Sequence, residues 1–305
     1  MNLAVEGGFR PACMVSRKDR VILNARKQIR RKALRIEGTV LSVCCVCVTL
    51  AASLNAQAVN SASDSPLVAP GSLVSIYEDL ENATGAAVSL PLPTSLSDGR
   101  FYIVFNWTPG TPIVETNRVP LLYWSPSQIN VVLPAATDSN SLLAITLFPN
   151  LGTQTTNVVA MNVAAQAPGI FVNPTTDCSF AAGCGRTLER GIITDASYAL
   201  VSSSNPARPN QTIVAWLTGL GVNPTAPKVV VVPAVGAPLS AVVTYSGHTS
   251  FAGLDQVNFT LPGGVALMSG CSVGAHLEIQ MSMQSVATGA QSNAISLPVL
   301  IDSCK

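Results

Sequence analysis

Charge is scarce in this sequence: only 11% of its 305 residues are Asp, Glu, Lys or Arg. Long surface helices need a polar stripe to face water, and no helical period of useful length follows Leu54. Histidine is scarcer still, with only His248 and His276. Both stand isolated in the sequence, so a serine hydrolase has no evident base among them. The carboxylates are scattered, and no glycosidase pair can be named among them. Gly, Pro, Ser, Thr, Asn, Ala and Val dominate instead, which suits short strands joined by turns. The chain reads as all-β.

The formal net charge of +1 averages two unlike regions. Residues 1–58 hold ten basic and three acidic side chains, leaving seven basic against thirteen acidic, a net −6, for the rest. A nucleic-acid binder needs a basic stripe to displace counterions from phosphates, so that class is excluded. Arg26, Lys27, Arg30, Arg31, Lys32 and Arg35 precede an apolar run from Thr39 to Leu54, followed by Ala56-Gln57-Ala58. These are the three parts of a secretory signal. Residues 1–58 are therefore expected to be a leader cleaved after Ala58, and Met14 as start would give it a more usual length. The competing reading, an uncleaved anchor, asks for ~20 apolar residues. The membrane enters only through this export signal, and the mature part is expected to be secreted or held at the cell surface or in the periplasm.

Four cysteines lie in the leader; Cys178, Cys184, Cys271 and Cys304 remain. An even number in an exported chain points to disulfides, and four cysteines allow three connectivities. The favoured pairs are Cys178 with Cys184 and Cys271 with Cys304. Their spacing matches no zinc pattern. Glu78, Asp79 and Glu81 form the densest acidic cluster but lack an ordered calcium-loop pattern. No metal, cofactor or catalytic site is expected.

Two pairs of segments repeat. Gln128-Ile-Asn-Val-Val-Leu-Pro134 matches Gln256-Val-Asn-Phe-Thr-Leu-Pro262, and each follows an aromatic-bearing strand, Pro120-Leu-Leu-Tyr-Trp124 or Ala241-Val-Val-Thr-Tyr245. Upstream, Pro70-Gly-Ser-Leu-Val-Ser-Ile-Tyr77 matches Pro209-Asn-Gln-Thr-Ile-Val-Ala-Trp216. Alternation places Val74 and Ile76 on one face of the first strand, with Leu73, Ser75 and Tyr77 on the other. Unequal loops between copies of one unit account for the differing offsets. The expected architecture is two tandem immunoglobulin-like β-sandwiches, at 65–165 and 203–302, joined by a loop-rich connector at 166–202.

The ordered set Ala69-Pro-Gly-Ser-Leu-Val-Ser-Ile-Tyr77, Leu90-Pro-Leu-Pro-Thr94, Leu121-Leu-Tyr123 with Ser125-Pro-Ser-Gln-Ile-Asn130, Ala167-Pro-Gly-Ile-Phe171, Ser204-Asn-Pro-Ala207, Leu217-Thr-Gly-Leu-Gly221 and Gln256-Val-Asn258 resembles a C-terminal region of exported acidobacterial (Solibacter-type) proteins. It is also similar to the IPT/TIG type of sandwich. The resemblance implies an exported module that follows other domains, without a particular reaction. This chain departs from the pattern at Tyr77-Glu-Asp-Leu-Glu81, where a Gly-rich turn is usual.

The leading functional expectation is thus a non-enzymatic module for adhesion, protein interaction or surface assembly, its partner an unknown protein or glycan at the cell surface. A carbohydrate-binding module is the second reading. Trp107, in the turn Asn106-Trp-Thr-Pro-Gly110, marks its ligand surface, because flat rings give large contact area at small entropy cost. Trp124 and Trp216 are expected to serve as core or edge packing. A hydrolase is third, with no residue set to nominate. Leu217-Thr-Gly-Leu-Gly221 lacks the lysine of a phosphate loop and reads as a strand-end turn.

Overall fold

The computed structural model describes residues 57–77, 84–87, 90–96, 101–106, 117–138, 142–150, 153–177, 186–265 and 272–301. All regular structure among them is β, in agreement with the composition. The leader up to residue 56 lies outside the described residues, and no described helix is long and apolar enough to cross a membrane. Residues 52–305 cluster as one unit.

The first ten strands are β1 (Gln57–Asn60), β2 (Leu67–Val68), β3 (Leu73–Tyr77), β4 (Gly85–Ala86), β5 (Phe101–Val104), β6 (Leu121–Ser125), β7 (Gln128–Val132), β8 (Leu142–Asn150), β9 (Thr153–Ala160) and β10 (Asn162–Val163). They form a five-stranded sheet in the order β1-β3-β7-β6-β4, a three-stranded sheet β5-β8-β9, and a short parallel pair of β10 with β2. Val74, Ile76, Leu121, Ile129 and Val131 from the first sheet share one hydrophobic cluster with Phe101, Ile103 and Val159 from the second. Val74 and Ile76 share one face as alternation requires, and that face is the buried one, so the two sheets close face to face as a sandwich.

The expected cleavage point after Ala58 falls inside β1. Ala58 pairs with Ile76 and Gln57 with Tyr77, and Ala58 is buried in the same cluster.

The remaining strands are β11 (Gly169–Ile170), β12 (Val172–Asp177), β13 (Arg186–Gly191), β14 (Ile193–Asp195), β15 (Thr212–Thr218), β16 (Lys228–Val232), β17 (Leu239–His248), β18 (Asp255–Thr260), β19 (His276–Gln284) and β20 (Ile295–Leu300). They run as one path, β11-β15-β18-β17-β16-β19-β20-β13-β12, with β14 beside β15. The path folds back on itself at β17. Leu239 to Ala241 pair with β16, whereas Val242 to His248 pair with β18. Ile213, Ala215, Val257 and Phe259 on one side of the bend pack in a single cluster with Val229, Val231, Ile279, Met281 and Leu297 on the other. Residues 166–202 supply β11 to β14, and Ile170, Ile193 and Val201 enter this cluster. The short apolar stretches there bury too much surface to stay as loop.

The sequence repeats become a repeat of register. In the first half Ile76 faces Ile129 across β3 and β7; in the second Ala215 faces Val257 across β15 and β18. These are the same two positions of the matched segments. The third strand repeats too, down to a β-bulge. Leu121 faces Val131 and Tyr123 faces Asn130, with an extra residue between; Val243 faces Phe259 and Tyr245 faces Asn258, again with an extra residue between. The register corrects the end-to-end matching of this strand, which sets Trp124 against Tyr245. Tyr123 holds that place. Trp124 is turned the other way, packing against the first cluster and over Gly85, where a Cβ would come 2.6 Å from its ring.

Candidate functional site

The Gln-x-Asn of each repeat performs the same local act twice. On β7, Gln128 Nε2 donates to Asn130 Oδ1 at 2.7 Å. On β18, Gln256 Nε2 donates to Asn258 Oδ1, also at 2.7 Å. Residues two apart on a strand share a face, and in both strands the intervening residues, Ile129 and Val257, point into the core. The amides therefore lie on the outer face. Each bond uses one N–H and one lone pair out of the two donors and two acceptor sites that an amide carries.

Aromatic residues flank this pair in both halves, because residues opposite one another in an antiparallel ladder share a face. In the second half Trp216 lies opposite Gln256, and Gly247 lies opposite it on the other side. The bulge throws Tyr245 outward beside Gly247. Its ring lies against the glycine backbone, the hydroxyl oxygen 2.7 Å from where a Cβ would stand. Tyr245 is 45% exposed. Trp216 is held from the other side: its Nε1–H donates to Thr194 Oγ1 at 3.2 Å, and the Tyr198 ring sits 6.1 Å from it, tilted by 35°. Tyr198 is 65% exposed.

Asp195 builds the turn that presents Tyr198. Its Oδ1 accepts the Ser197 hydroxyl at 2.7 Å, the Ser197 N–H at 2.9 Å and the Ala199 N–H at 3.0 Å. These bonds hold its carboxyl below the usual carboxylate range, the Ser197 hydroxyl first. Tyr198 itself adopts φ +65°, a left-handed conformation that a free chain would avoid.

The first half carries the same arrangement with different neighbours. Ser75 Oγ donates to Asn130 Oδ1 at 3.1 Å, and Tyr123 lies opposite Asn130. Tyr77 follows Ser75 on this face, its hydroxyl directed at Asp64 Oδ1 at 3.5 Å. Burial, then the Asp64 charge, pushes the Tyr77 phenol up.

Between the halves the chain makes a buried polar junction. Asn60 Nδ2 donates to the Ala167 carbonyl at 2.9 Å, while Asn60 Oδ1 accepts the Ala62 N–H at 3.0 Å. The Leu73 N–H donates to Thr218 Oγ1 at 2.8 Å. On the other side Asn293 is fixed within the second half by accepting the Ile170 N–H at 2.9 Å and donating to the Ile170 carbonyl at 2.9 Å, and its Nδ2 reaches the Ala62 carbonyl at 3.5 Å. The Leu217 to Gly221 segment is a strand-end turn, as its sequence implies. Gly219 turns at φ +96°, and a Cβ there would stand 2.0 Å from the Ala167 carbonyl oxygen.

Asp255 anchors that turn by accepting the Leu220 N–H at 2.8 Å. Its other oxygen lies 2.7 Å from His248 Nδ1. Burial raises the Asp255 carboxyl above its ordinary value, and the bonds to Leu220 and His248 oppose this only in part. His248 thus sits at the end of β17, across the ladder from Asp255. His276 lies on β19, 4.0 Å from Glu278, which also pairs with Arg190.

Trp107, Cys178, Cys184, Cys271 and Cys304 lie outside the described residues, as do Glu78, Asp79 and Glu81. Among the described residues, no group of three or more His, Cys, Asp or Glu side chains is placed to hold a metal. Sequence reasoning singled out the Gln-x-Asn segments as a repeat but missed their aromatic neighbours as one surface. It set Trp216 down as core or edge packing and left Tyr198 and Tyr245 out of any site. The usable signal was the matched pair of Tyr77 with Trp216 beside the Gln-x-Asn strand.

No family model matches the chain, and neither does any curated protein. Among solved structures it is similar to murine CEACAM1b at 12% identity, over 77% of this chain and 96% of that one, with a TM-score of 0.20. That is too low to identify a relative.

Proposed function

We propose that the protein is an exported, non-enzymatic pair of immunoglobulin-like β-sandwiches serving adhesion, protein interaction or surface assembly, secreted or retained at the cell surface or in the periplasm. The observation that carries this reading is the recurrence of one half-exposed outer face, an amide pair flanked by aromatics, in both copies of the repeat. Packing needs no such repetition on a face turned from the core, whereas a surface that engages an extended partner gains from having two. The basic and apolar leader ending in Ala56-Gln57-Ala58 supports export. The ordered motifs from Ala69 to Asn258 support membership in the exported acidobacterial C-terminal family.

Among the described residues, one histidine–carboxylate pair, His248 with Asp255, lies within hydrogen-bond distance. Asp255 is committed to the Leu220 amide as well as to His248, so the pair ties the strand-end turn to β17. This favours a structural role over the hydrolase reading.

Capture from isolated cell envelopes tests the proposal, using the chain from Val59 to Lys305 made under oxidising conditions. Specific retention of an envelope component is the expected result. Failure to retain any component, or turnover of a substrate abolished by point mutation, overturns it.

A further inference from the structure

We infer that the outer face of β14, β15, β18 and β17 is a binding platform for a neutral polysaccharide chain, with Trp216, Tyr198 and Tyr245 as stacking surfaces and Gln256 and Asn258 as hydrogen-bonding groups between them. This inference rests on the recognition reading above and names its ligand and its surface.

The register supplies the geometry. Trp216, Gln256 and Gly247 form one cross-strand row, and the Tyr245 ring lies over the Gly247 end of it. Strands are spaced about 4.8 Å apart, which puts the two aromatic platforms roughly 10 Å from each other. That span exceeds one pyranose ring, so the occupant is a chain of linked sugars and not a monosaccharide. The neighbouring rows are Val214, Asn258 and Tyr245, then Thr212, Thr260 and Val242. None of these side chains carries a charge.

The chemistry selects a sugar over other extended partners. The C–H faces of a pyranose are apolar and weakly positive, complementary to the negative face of an aromatic ring. Its hydroxyls donate and accept at once, as the amides of Gln256 and Asn258 do. A proline-rich peptide offers carbonyl acceptors to aromatic-lined grooves, and would draw on the indole N–H of Trp216. That N–H is spent on Thr194. An anionic polymer would find no cation on these rows.

The platform is also built before any ligand arrives. Thr194 fixes the indole, the Asp195 turn fixes Tyr198, and the bulge with Gly247 lays Tyr245 along the sheet. Preorganised rings lose little entropy on binding.

The test is titration calorimetry of the full chain with cellohexaose, xylohexaose and mannohexaose, beside a proline-rich decapeptide. The expected result is binding of at least one hexasaccharide, weakened at least tenfold by Tyr198→Ala and by Tyr245→Ala with the melting temperature unchanged, and unaffected by Trp107→Ala. Tyr198→Ala removes a largely exposed ring, so it reports on binding even if Trp216→Ala fails to fold. The inference is overturned if no hexasaccharide binds, if both tyrosine variants bind as well as the parent, or if the peptide binds this face instead. Envelope capture that survives periodate oxidation of the sugars would overturn it while leaving the recognition module standing. Loss of all envelope capture would end both.

Discussion

Asn60 is the side chain whose removal the junction should feel most. It is fully buried, donating to Ala167 at 2.9 Å and accepting from Ala62 at 3.0 Å. Each buried hydrogen bond contributes about 1 kcal/mol net, and leaving its partner unpaired costs about 1–3 kcal/mol. Asn60→Ala strands both the Ala167 carbonyl and the Ala62 N–H, so a loss of about 2–5 kcal/mol is expected. Gly169 gives an internal control, because a Cβ there would stand 2.3 Å from Asn60 Oδ1. Gly169→Ala alone must displace the Asn60 amide and break the same two bonds. In the Asn60→Ala background the added methyl enters vacated space and costs little. Urea unfolding of the parent, both single variants and the double variant gives the cycle directly, by linear extrapolation. The double variant should be more stable than the summed single effects imply, by at least about 1 kcal/mol. Additive losses, or an Asn60→Ala effect below about 0.5 kcal/mol, would refute the assignment of Asn60 as the polar tie between the halves.

A chain beginning at Val59 forgoes the Gln57 and Ala58 pairings of β1 and should be about 1 kcal/mol less stable than one beginning at Gln57; equal denaturation midpoints would show that β1 needs only its last two residues. Gly219→Ala combines a left-handed φ with a carbonyl 2.0 Å away, whereas Gly236→Ala at φ +111° meets nothing within 4 Å. The first should therefore cost at least about 2 kcal/mol more than the second, and similar thermal shifts would contradict the close approach. Burial raises the Asp255 carboxyl above its ordinary value, so the folded state holds this proton more tightly than the unfolded one. The stabilisation is full below that ordinary value and is lost as pH rises through the folded-state value. Relative to Asp255→Asn, the parent should thus gain stability as pH is lowered across that window; a flat or opposite difference in urea midpoints would refute the burial argument.

How much of this was legible in the sequence depends on whether the feature is set along a strand or across strands. Val74 and Ile76 betray the inward face of β3 by alternation alone, and the Gln-x-Asn segments announce a repeat because two residues at spacing two carry the same chemistry. Both are properties of one strand read in order. The place of Tyr123 is not, because a bulge inserts one residue that no alternation rule marks, and it shifts every later residue to the other face. Matching the two strands end to end sets Trp124 against Tyr245, and because both copies carry the bulge while the hairpins after it differ in length, only the ladder shows that Tyr123 holds that place.

The same distinction explains the missed surface. Trp216, Gln256 and Gly247 are neighbours only through the pairing of β15, β18 and β17, and Tyr198 reaches Trp216 through a turn that Asp195 holds from its own side chain. Gly247 has no side chain to announce a role, yet its missing Cβ is what lets the Tyr245 ring lie down beside the amides. Gly247→Ala should then lift that ring without touching either half of the core. If the aromatic face is the functional one, this substitution weakens recognition while leaving the unfolding free energy within about 0.5 kcal/mol of the parent; if the face only packs, stability falls and recognition does not.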